Sequence, residues 1–512
     1  MAIKSVQRLN KRQRIKENRN FYQKPIGTSM QRRTKIVATL GPSIDDNPEV
    51  LDDIIAAGVN VVRLNLSHGD YEIHAKRAEA VRNRAQASGR QVGVLVDLQG
   101  PKIRVGKFKK GPITLKEDDS FILDMDLAQD AGTQESVGVT YKSIIDDLER
   151  GNTLLLNDGL LVFWVEKIEG AKIYCKVKVG GILSDSKGIN KKGGGLSAPA
   201  LTAKDKEDIK FAASINADYL AISFVRNKED IIESRKLLNK AGCNAGIVAK
   251  IERAEALECI DEIIEATDVI MVARGDLGVE IGDAELPAVQ KRLIRLSRKA
   301  NKVVITATQM MESMITNPVP TRAEVFDVAN AVLDGTDAVM LSGETAVGKY
   351  PAKAIEIMGE ICREAEKQDE AKVSDHRLDT TFQHIDESIA MATMYIANHL
   401  NVRAIAALTE SGETTLWMSR ISSGIPIYAL TSSVETRRRV TLYRGVYPVS
   451  FNVDKMDINK TNEEITNEMM RRTALRPDDQ IIMTKGDKDG VPGGTNVMKI
   501  LRVGDHIEPS NS

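Results

Sequence analysis

Residues 246–276 read GIVAKIERAEALECIDEIIEATDVIMVARGD. Two short apolar runs, GIVAKI (246–251) and DVIMVA (268–273), bracket a stretch with apolar residues at helical spacing. A strand that is apolar on both faces is covered on both faces, the mark of a parallel sheet packed between helices. The same unit recurs outward in both directions. Strands are predicted at 35–40 (KIVATL), 60–66 (NVVRLNL), 92–97 (VGVLVD), 218–223 (DYLAIS), 302–307 (KVVITA) and 337–341 (DAVML), which with the first two makes eight. Eight such units predict a closed (β/α)8 barrel rather than an open sheet.

Two stretches depart from this rhythm. Residues 103–197 lack helical periodicity except near 140–150. They carry short runs such as LLLND (154–158), VFWVEKI (162–168) and KIYCKVKV (172–179) with glycine turns between. They predict a small β-barrel inserted after the third strand as a lid, with KKGGG (191–195) as its exit hinge. Beyond residue 358 the pattern becomes a separate α/β domain. Helices are predicted at 386–399, 414–423 and 434–441, and strands at 402–408, 426–430, 447–450 and 480–484. The expected organisation is a basic, disordered extension (1–31), a barrel (32–102 and 198–358), the lid (103–197) and a C-terminal α/β allosteric domain (359–512).

Composition narrows the classes. The 512 residues hold 71 Lys plus Arg against 72 Asp plus Glu, which excludes a globally basic nucleic-acid binder. No apolar run approaches the length of a membrane span. The cysteines (Cys175, Cys243, Cys259, Cys362) form no CxxC pair, so a reducing, cytoplasmic setting is expected. The first 33 residues have Glu17 as their only acid and no apolar core, unlike a secretory signal. Met30 as an alternative start and a basic arm for RNA are the other readings of that segment.

In a barrel, catalytic groups sit where strands end. The second strand closes on Arg63, Asn65, Ser67 and His68, and the third on Asp97, followed by Lys102 and Arg104. The fifth closes on Lys250 and Glu252, and the sixth on Arg274, Gly275 and Asp276. The seventh closes on Thr306, Thr308 and Gln309, and the eighth on Ser342, Gly343 and Glu344. Lys250 and Glu252 are two apart on a strand and share a face. Glu252 and Asp276 are carboxylates from neighbouring strands with no His or Cys beside them, which suits Mg²⁺ or Mn²⁺ rather than zinc. Arg63, Arg104 and Lys250 add cations, so the substrate should be multiply anionic, a phosphoryl compound. Gly275 leaves a bare N–H to meet an oxyanion. Phosphoryl transfer or enolate chemistry follows. GETAVGK (343–349) mimics a P-loop but continues Tyr350–Pro351 where Ser or Thr is needed, and GDLGVEIG (275–282) is not GxGxxG.

The segments RRTKIVATLGP (32–42), VVRLNLSHG (61–69), DLQGPKIR (97–104), IVAKIERAEA (247–256), MVARGDLGVEIG (271–282) and the long block 305–351 closely resemble pyruvate kinases, the bacterial forms above all. The resemblance runs from about residue 32 to the end. It implies transfer of a phosphoryl group from phosphoenolpyruvate to ADP, giving pyruvate and ATP in glycolysis, in a Mg²⁺-dependent cytoplasmic homotetramer. Lys250 then resembles the lysine that steadies the phosphoryl group in flight. Glu252 and Asp276 resemble the metal ligands, and Gly275, Asp276 and Thr308 the contacts for the substrate carboxylate. Arg63 resembles the arginine at the transferring phosphate and nucleotide, and Arg104 a second phosphate-side cation. Thr308, Ser342 and Glu344 resemble a relay that protonates the enolate, with the donor itself left open. His68 and Lys187 resemble nucleotide-phosphate contacts.

Two regulatory expectations follow from the resemblance. Many relatives bind K⁺ at positions matching Asn65, Ser67 and Asp97 and carry Glu where this chain has Lys102. Leu98, Gln99, Lys102 and Val105 resemble instead a K⁺-independent group, with the Lys102 ammonium replacing the ion beside those three residues. In the C-terminal domain, TESGETT (409–415) precedes a helix, and Thr409, Ser411, Gly412 and Thr414 resemble an effector-phosphate cradle. Thr431, Ser432, Ser433, Thr436 and the segment 486–496 would close over the same ligand. Glu410 and Glu413 disfavour a bisphosphate, leaving a monophosphorylated sugar or AMP. The alternative function, from another class, is a catalytically idle relative that serves as a ligand-binding or RNA-binding scaffold.

Overall fold

The computed structural model describes residues 31–504 apart from 46, 372–380, 401, 453–460, 474 and 488–492. The basic extension and much of the 486–496 segment therefore lie outside the described residues. The described residues divide into two compact units, one within 34–80 and 93–361, the other within 31–33, 81–92 and 362–504.

The larger unit contains the barrel. Its first strands are β1 (Lys35–Leu40), β2 (Val61–Asn65) and β3 (Gly93–Asp97). An insert follows with β4 (Ile113–Leu115), β5 (Ser120–Asp124), β6 (Ser136–Gly138), β7 (Thr153–Leu156), β8 (Leu161–Glu169), β9 (Lys172–Val179), β10 (Gly181–Leu183) and β11 (Ile189–Lys191). The barrel resumes as β12 (Tyr219–Ile222), β13 (Gly246–Ile251), β14 (Val269–Ala273), β15 (Val303–Ala307) and β16 (Ala338–Leu341). The eight strands β1–β3 and β12–β16 are joined in chain order and close on themselves through β1 and β16, all in parallel. Each predicted strand is present within a residue or two. Nearly every residue on them is buried, as covering on both faces demands.

The insert is built from an antiparallel six-stranded sheet, β11-β7-β8-β9-β5-β6, with β5 and β6 parallel, and a two-stranded pair β10-β4. Its two outer strands are linked by the segment entering the insert. Arg104 bridges Gly188 next to β11, and Val105 bridges Val139 next to β6. The amide of Val105 donates to Lys187 O (2.9 Å) and that of Gly106 to Gly138 O (2.8 Å). This stave leaves neither outer strand bare and rounds the sheet about its own core of Phe121, Phe163, Val177 and their neighbours. Only a 3-10 turn, Lys142–Asp147, interrupts the β structure, at the place predicted for helical spacing.

The smaller unit carries β17 (Ala404–Leu408), β18 (Ile427–Thr431), β19 (Val446–Ser450), β20 (Gln480–Gly486) and β21 (Thr495–Arg502) in the order β19-β18-β17-β20-β21. The last strand is antiparallel. It and the helix Thr461–Arg472 were not anticipated, and the predicted helix 414–423 is the shorter Glu413–Ser419. Among the described residues no helix is long and apolar enough to cross a membrane.

Candidate active site

Lys250 stands next to the last residue of β13 and its side chain is almost wholly buried. Its ammonium lies 2.9 Å from Glu252 Oε1 and 3.3 Å from Asp97 Oδ1, and donates to Ser223 Oγ at 2.7 Å. Burial opposes the charge, but Asp97 and Glu252 outweigh it and the Lys250 pKa is raised. Asp97, at the end of β3, is also bound by Arg63 Nε at 2.6 Å, and Arg63 Nη1 donates to Thr39 Oγ1 at 3.0 Å. Burial alone would raise the Asp97 pKa; Lys250 and Arg63 reverse it and hold the carboxyl below its ordinary range. The rim therefore carries a pre-formed pair of cations on a shared buried anion. Such groups are already oriented before a substrate arrives.

Glu252 is 2% exposed, and Oε2 accepts the Phe224 amide at 2.8 Å. Burial raises its pKa, Lys250 opposes that, and the charge of Asp276 adds to it. Two carboxylates whose charges repel, with oxygen donors only, fit a hard divalent cation that completes its shell with water and substrate oxygens. Among the described residues no group of three or more His, Cys, Asp or Glu side chains is placed to hold a metal.

The helix Arg274–Ile281 starts directly after β14 and puts Gly275 and Asp276 in its first turn. Here the Gly275 amide donates to Thr308 Oγ1 at 2.9 Å, so the N–H expected to face an oxyanion already has a partner. Thr308 has φ +66° and Gln309 φ +53°. A β-branched residue in the left-handed region is strained and persists only where its surroundings impose it. The imposing group is Arg274, 6% exposed, whose Nε donates to Thr308 O at 3.2 Å and whose Nη1 pairs with Asp327 at 2.7 Å. Glu344 ties the loops after β15 and β16 together, accepting from the amides of Met311 (3.1 Å) and Ser342 (2.7 Å). Burial raises its pKa. Ser342 Oγ is buried with no hydrogen-bond partner among the described residues, which leaves its proton available.

The structure revises the setting of Lys102. Its ammonium pairs with Asp276 Oδ1 at 2.9 Å and stands 3.9 Å from Asp158 Oδ1 in the insert. It does not serve the Asn65–Ser67–Asp97 group. The physical reason is charge balance, since Asp97 already has Arg63 and Lys250, while among the described residues Lys102 is the cation that pairs with Asp276. Asn65 Oδ1 instead accepts the Ser67 amide at 3.1 Å. Arg104 belongs to the insert's closing stave, donating to Ser186 O at 2.9 Å, with Lys187 next in sequence. His68 is exposed at the mouth of β2.

Sequence reasoning missed Ser223, Phe224 and the buried counter-charge role of Asp97. Ser223 closes the predicted fourth strand, so that strand's end held the signal. Phe224 gave none, because its part is played by a backbone amide at φ +55°.

A parallel eight-stranded barrel with a β insert after its third strand, and a lysine locked among carboxylates on its rim, defines a barrel phosphotransferase. Family models described as "Pyruvate kinase, barrel domain" and "Pyruvate kinase, alpha/beta domain" match residues 31–355 and 387–501. The chain is 55% identical over 476 residues to "Pyruvate kinase" of Buchnera aphidicola (subspecies Schizaphis graminum), covering 92% of this chain and 98% of that one. It is 54% identical to "Pyruvate kinase II" of Salmonella typhimurium, and 53% to "Pyruvate kinase" of Haemophilus influenzae, with 92% of this chain and 99% of each relative covered. The chain belongs to the pyruvate kinase family.

Glu280 lies in the helix of Asp276, 5% exposed, its carboxyl accepting from the Ala254 amide at 2.8 Å and facing Asn190 Nδ2 at 3.4 Å. Burial lifts its pKa from 4.5 to about 7. A carboxyl whose pKa rises on folding destabilises the fold as pH climbs from the unfolded value through the folded one. Glu280→Gln is therefore expected to stabilise the protein by about 2–3 kcal/mol at pH 8 and to be neutral near pH 4.5. Denaturant unfolding at the two pH values reads this, and equal effects at both would contradict it.

Proposed function

We propose that this chain transfers the phosphoryl group of phosphoenolpyruvate to ADP with Mg²⁺, without needing K⁺, under control of a phosphorylated effector. The observation that carries it is the Lys250 ammonium held rigidly between Asp97, Glu252 and Ser223, with Arg63 beside it. In the reaction the bond from phosphorus to the enol oxygen breaks. A bond forms to a terminal oxygen of ADP, and the enolate left behind takes a proton at its methylene carbon. Lys250 and Arg63 offset charge on the moving phosphoryl group. Glu252 and Asp276 would hold Mg²⁺, which when bound neutralises substrate oxygens. Thr308, Ser342 and Glu344 line the proton side, where Ser342 Oγ keeps a free donor. Arg104 and Lys187 on the insert, and His68 on the barrel, face the nucleotide side in this reading.

K⁺ independence is supported by the saturation of Asp97, whose charge is met by two side chains. Pyruvate formation, coupled to lactate dehydrogenase in K⁺-free buffer, is expected to proceed at full rate. Turnover of the wild type only after K⁺ is added would refute this part alone. Persistent silence would favour the idle scaffold.

The effector reading rests on the loop 409–415. Gly412 has φ +88°, its amide donates to Thr409 Oγ1 at 2.9 Å, and Thr414 Oγ1 meets Thr495 Oγ1 at 2.8 Å. Ser433 caps the helix Val434–Arg439 through the Thr436 amide, and Thr436 Oγ1 donates to Glu410 O at 2.5 Å. Burial and the nearby Asp386 raise the Glu413 pKa; where they are ionised, Glu410 and Glu413 repel a second phosphate, which favours a singly phosphorylated ligand there. Monophosphorylated sugars or AMP are expected to raise the melting temperature of the full chain. No shift from any of them removes the effector reading.

A further inference from the structure

The three residues after Glu252 hold the strap by which the chain leaves the insert. Arg253 is 4% exposed, and its guanidinium donates to Leu196 O at 2.8 Å and Ala198 O at 3.3 Å. The Ala254 amide donates to Glu280 Oε2, while Glu255 Oε1 accepts the Gly195 amide at 3.3 Å. From the other side, Glu280 O accepts the Gly193 amide at 3.0 Å, and its carboxyl faces Asn190. The strap is pressed flat. Gly193, Gly194 and Gly195 all lie at positive φ (+83°, +76° and +85°), and a Cβ on Gly194 would stand 2.3 Å from Glu255 Oε2.

These ties converge on the candidate metal side. Glu280 is one helical turn beyond Asp276, on the same face of the same short helix. Arg253 also lies 5.6 Å over the ring of Phe224, whose amide holds Glu252. We infer that Arg253 and Glu280 are positioning residues that lock the exit strap of the insert to both Glu252 and Asp276, and so set where insert-borne groups meet the barrel rim. A planar fork bridging two carbonyls two residues apart is a task lysine cannot match. This inference rests on the reading of Glu252 and Asp276 as the metal side and of the insert as the nucleotide side.

The test compares wild type, Arg253→Lys and Glu280→Gln as full chains. It reads KM for ADP and for phosphoenolpyruvate, the Kd of Mg·ADP by calorimetry, and melting temperature. Calorimetry needs no turnover, so a wild type that binds Mg·ADP but does not react sinks the proposed reaction and leaves this inference measurable. Expected is a rise of about tenfold or more in KM and Kd for the nucleotide, with KM for phosphoenolpyruvate within about twofold, because a small misplacement at a reacting site costs up to about a hundredfold. Glu280→Gln should show this while being more stable at pH 8, which a purely structural role would not do. Unchanged nucleotide constants in both variants, or losses of both substrates in step with melting temperature, overturn it. If Arg253→Lys fails to fold, the Glu280→Gln result decides alone.

Discussion

Lys250→Met is expected to lower kcat by about three orders of magnitude while the chain stays folded. The ammonium it removes is held by three partners within 3.3 Å and sits at the rim without freedom to swing away. A fixed cation in a site shielded from water stabilises developing charge far more than a mobile one, and loss of one such group typically costs about 10²–10³ in rate. Here the loss reaches the upper end of that range because the change also leaves Glu252 in low dielectric without its counter-ion, displacing the group next to the phosphoryl path. Asp97 keeps Arg63, so one of the two buried carboxylates remains paired. The stability cost should be about 3 kcal/mol, as for breaking one side of a buried ion pair. Steady-state kcat at saturating substrates, with a thermal melt as control, reads it. A kcat within tenfold of wild type would show that Lys250 is only a structural counter-ion. Lys250→Arg should fare nearly as badly, since the guanidinium fork does not fit a site shaped for a point charge.

Asp276→Asn combined with Glu252→Gln is the second large effect. Each amide keeps the shape of the carboxyl and removes its charge, so Mg²⁺ would face neutral oxygens. The half-saturating Mg²⁺ concentration is expected to rise by about a hundredfold or more, and kcat at saturating Mg²⁺ to fall by about two orders of magnitude. Folding should not suffer, because the burial of the Glu252 charge, which chiefly raises its pKa, and its repulsion by Asp276 are both relieved. Lys102 would lose its partner on Asp276, so the single variant Glu252→Gln separates the two causes. An unchanged Mg²⁺ requirement in both variants would remove these residues from the metal side.

Much of this site could be read from strand ends alone. Lys250 and Glu252 share a face by strand periodicity, and Asp276 follows a neighbouring strand of the same register. The pairing of Lys102 with Asp276 was not legible in the sequence, because the two are 174 positions apart and nothing local records which carboxylate a cation will meet. Arg253 and Glu280 were passed over for the same reason. Arg253 binds strap carbonyls and the Glu280 carboxyl is held by the Ala254 amide, and backbone partners of this kind carry no residue signature. In the smaller unit, glycines around 486–496 drew attention to a loop and hid the strand Thr495–Arg502 that follows.

The order of elements was set by the sequence itself. Apolar runs and helical spacing are local, so eight β–α units, an insert after the third and an α/β unit after the last can be counted along the chain. Tertiary structure alone decided how charges are shared at the rim, which backbone amides serve carboxylates, and how the stave at Arg104 and Val105 closes the insert. Those depend on distances between residues far apart in the chain. In a low-dielectric interior each buried charge must find its partner wherever the fold brings one.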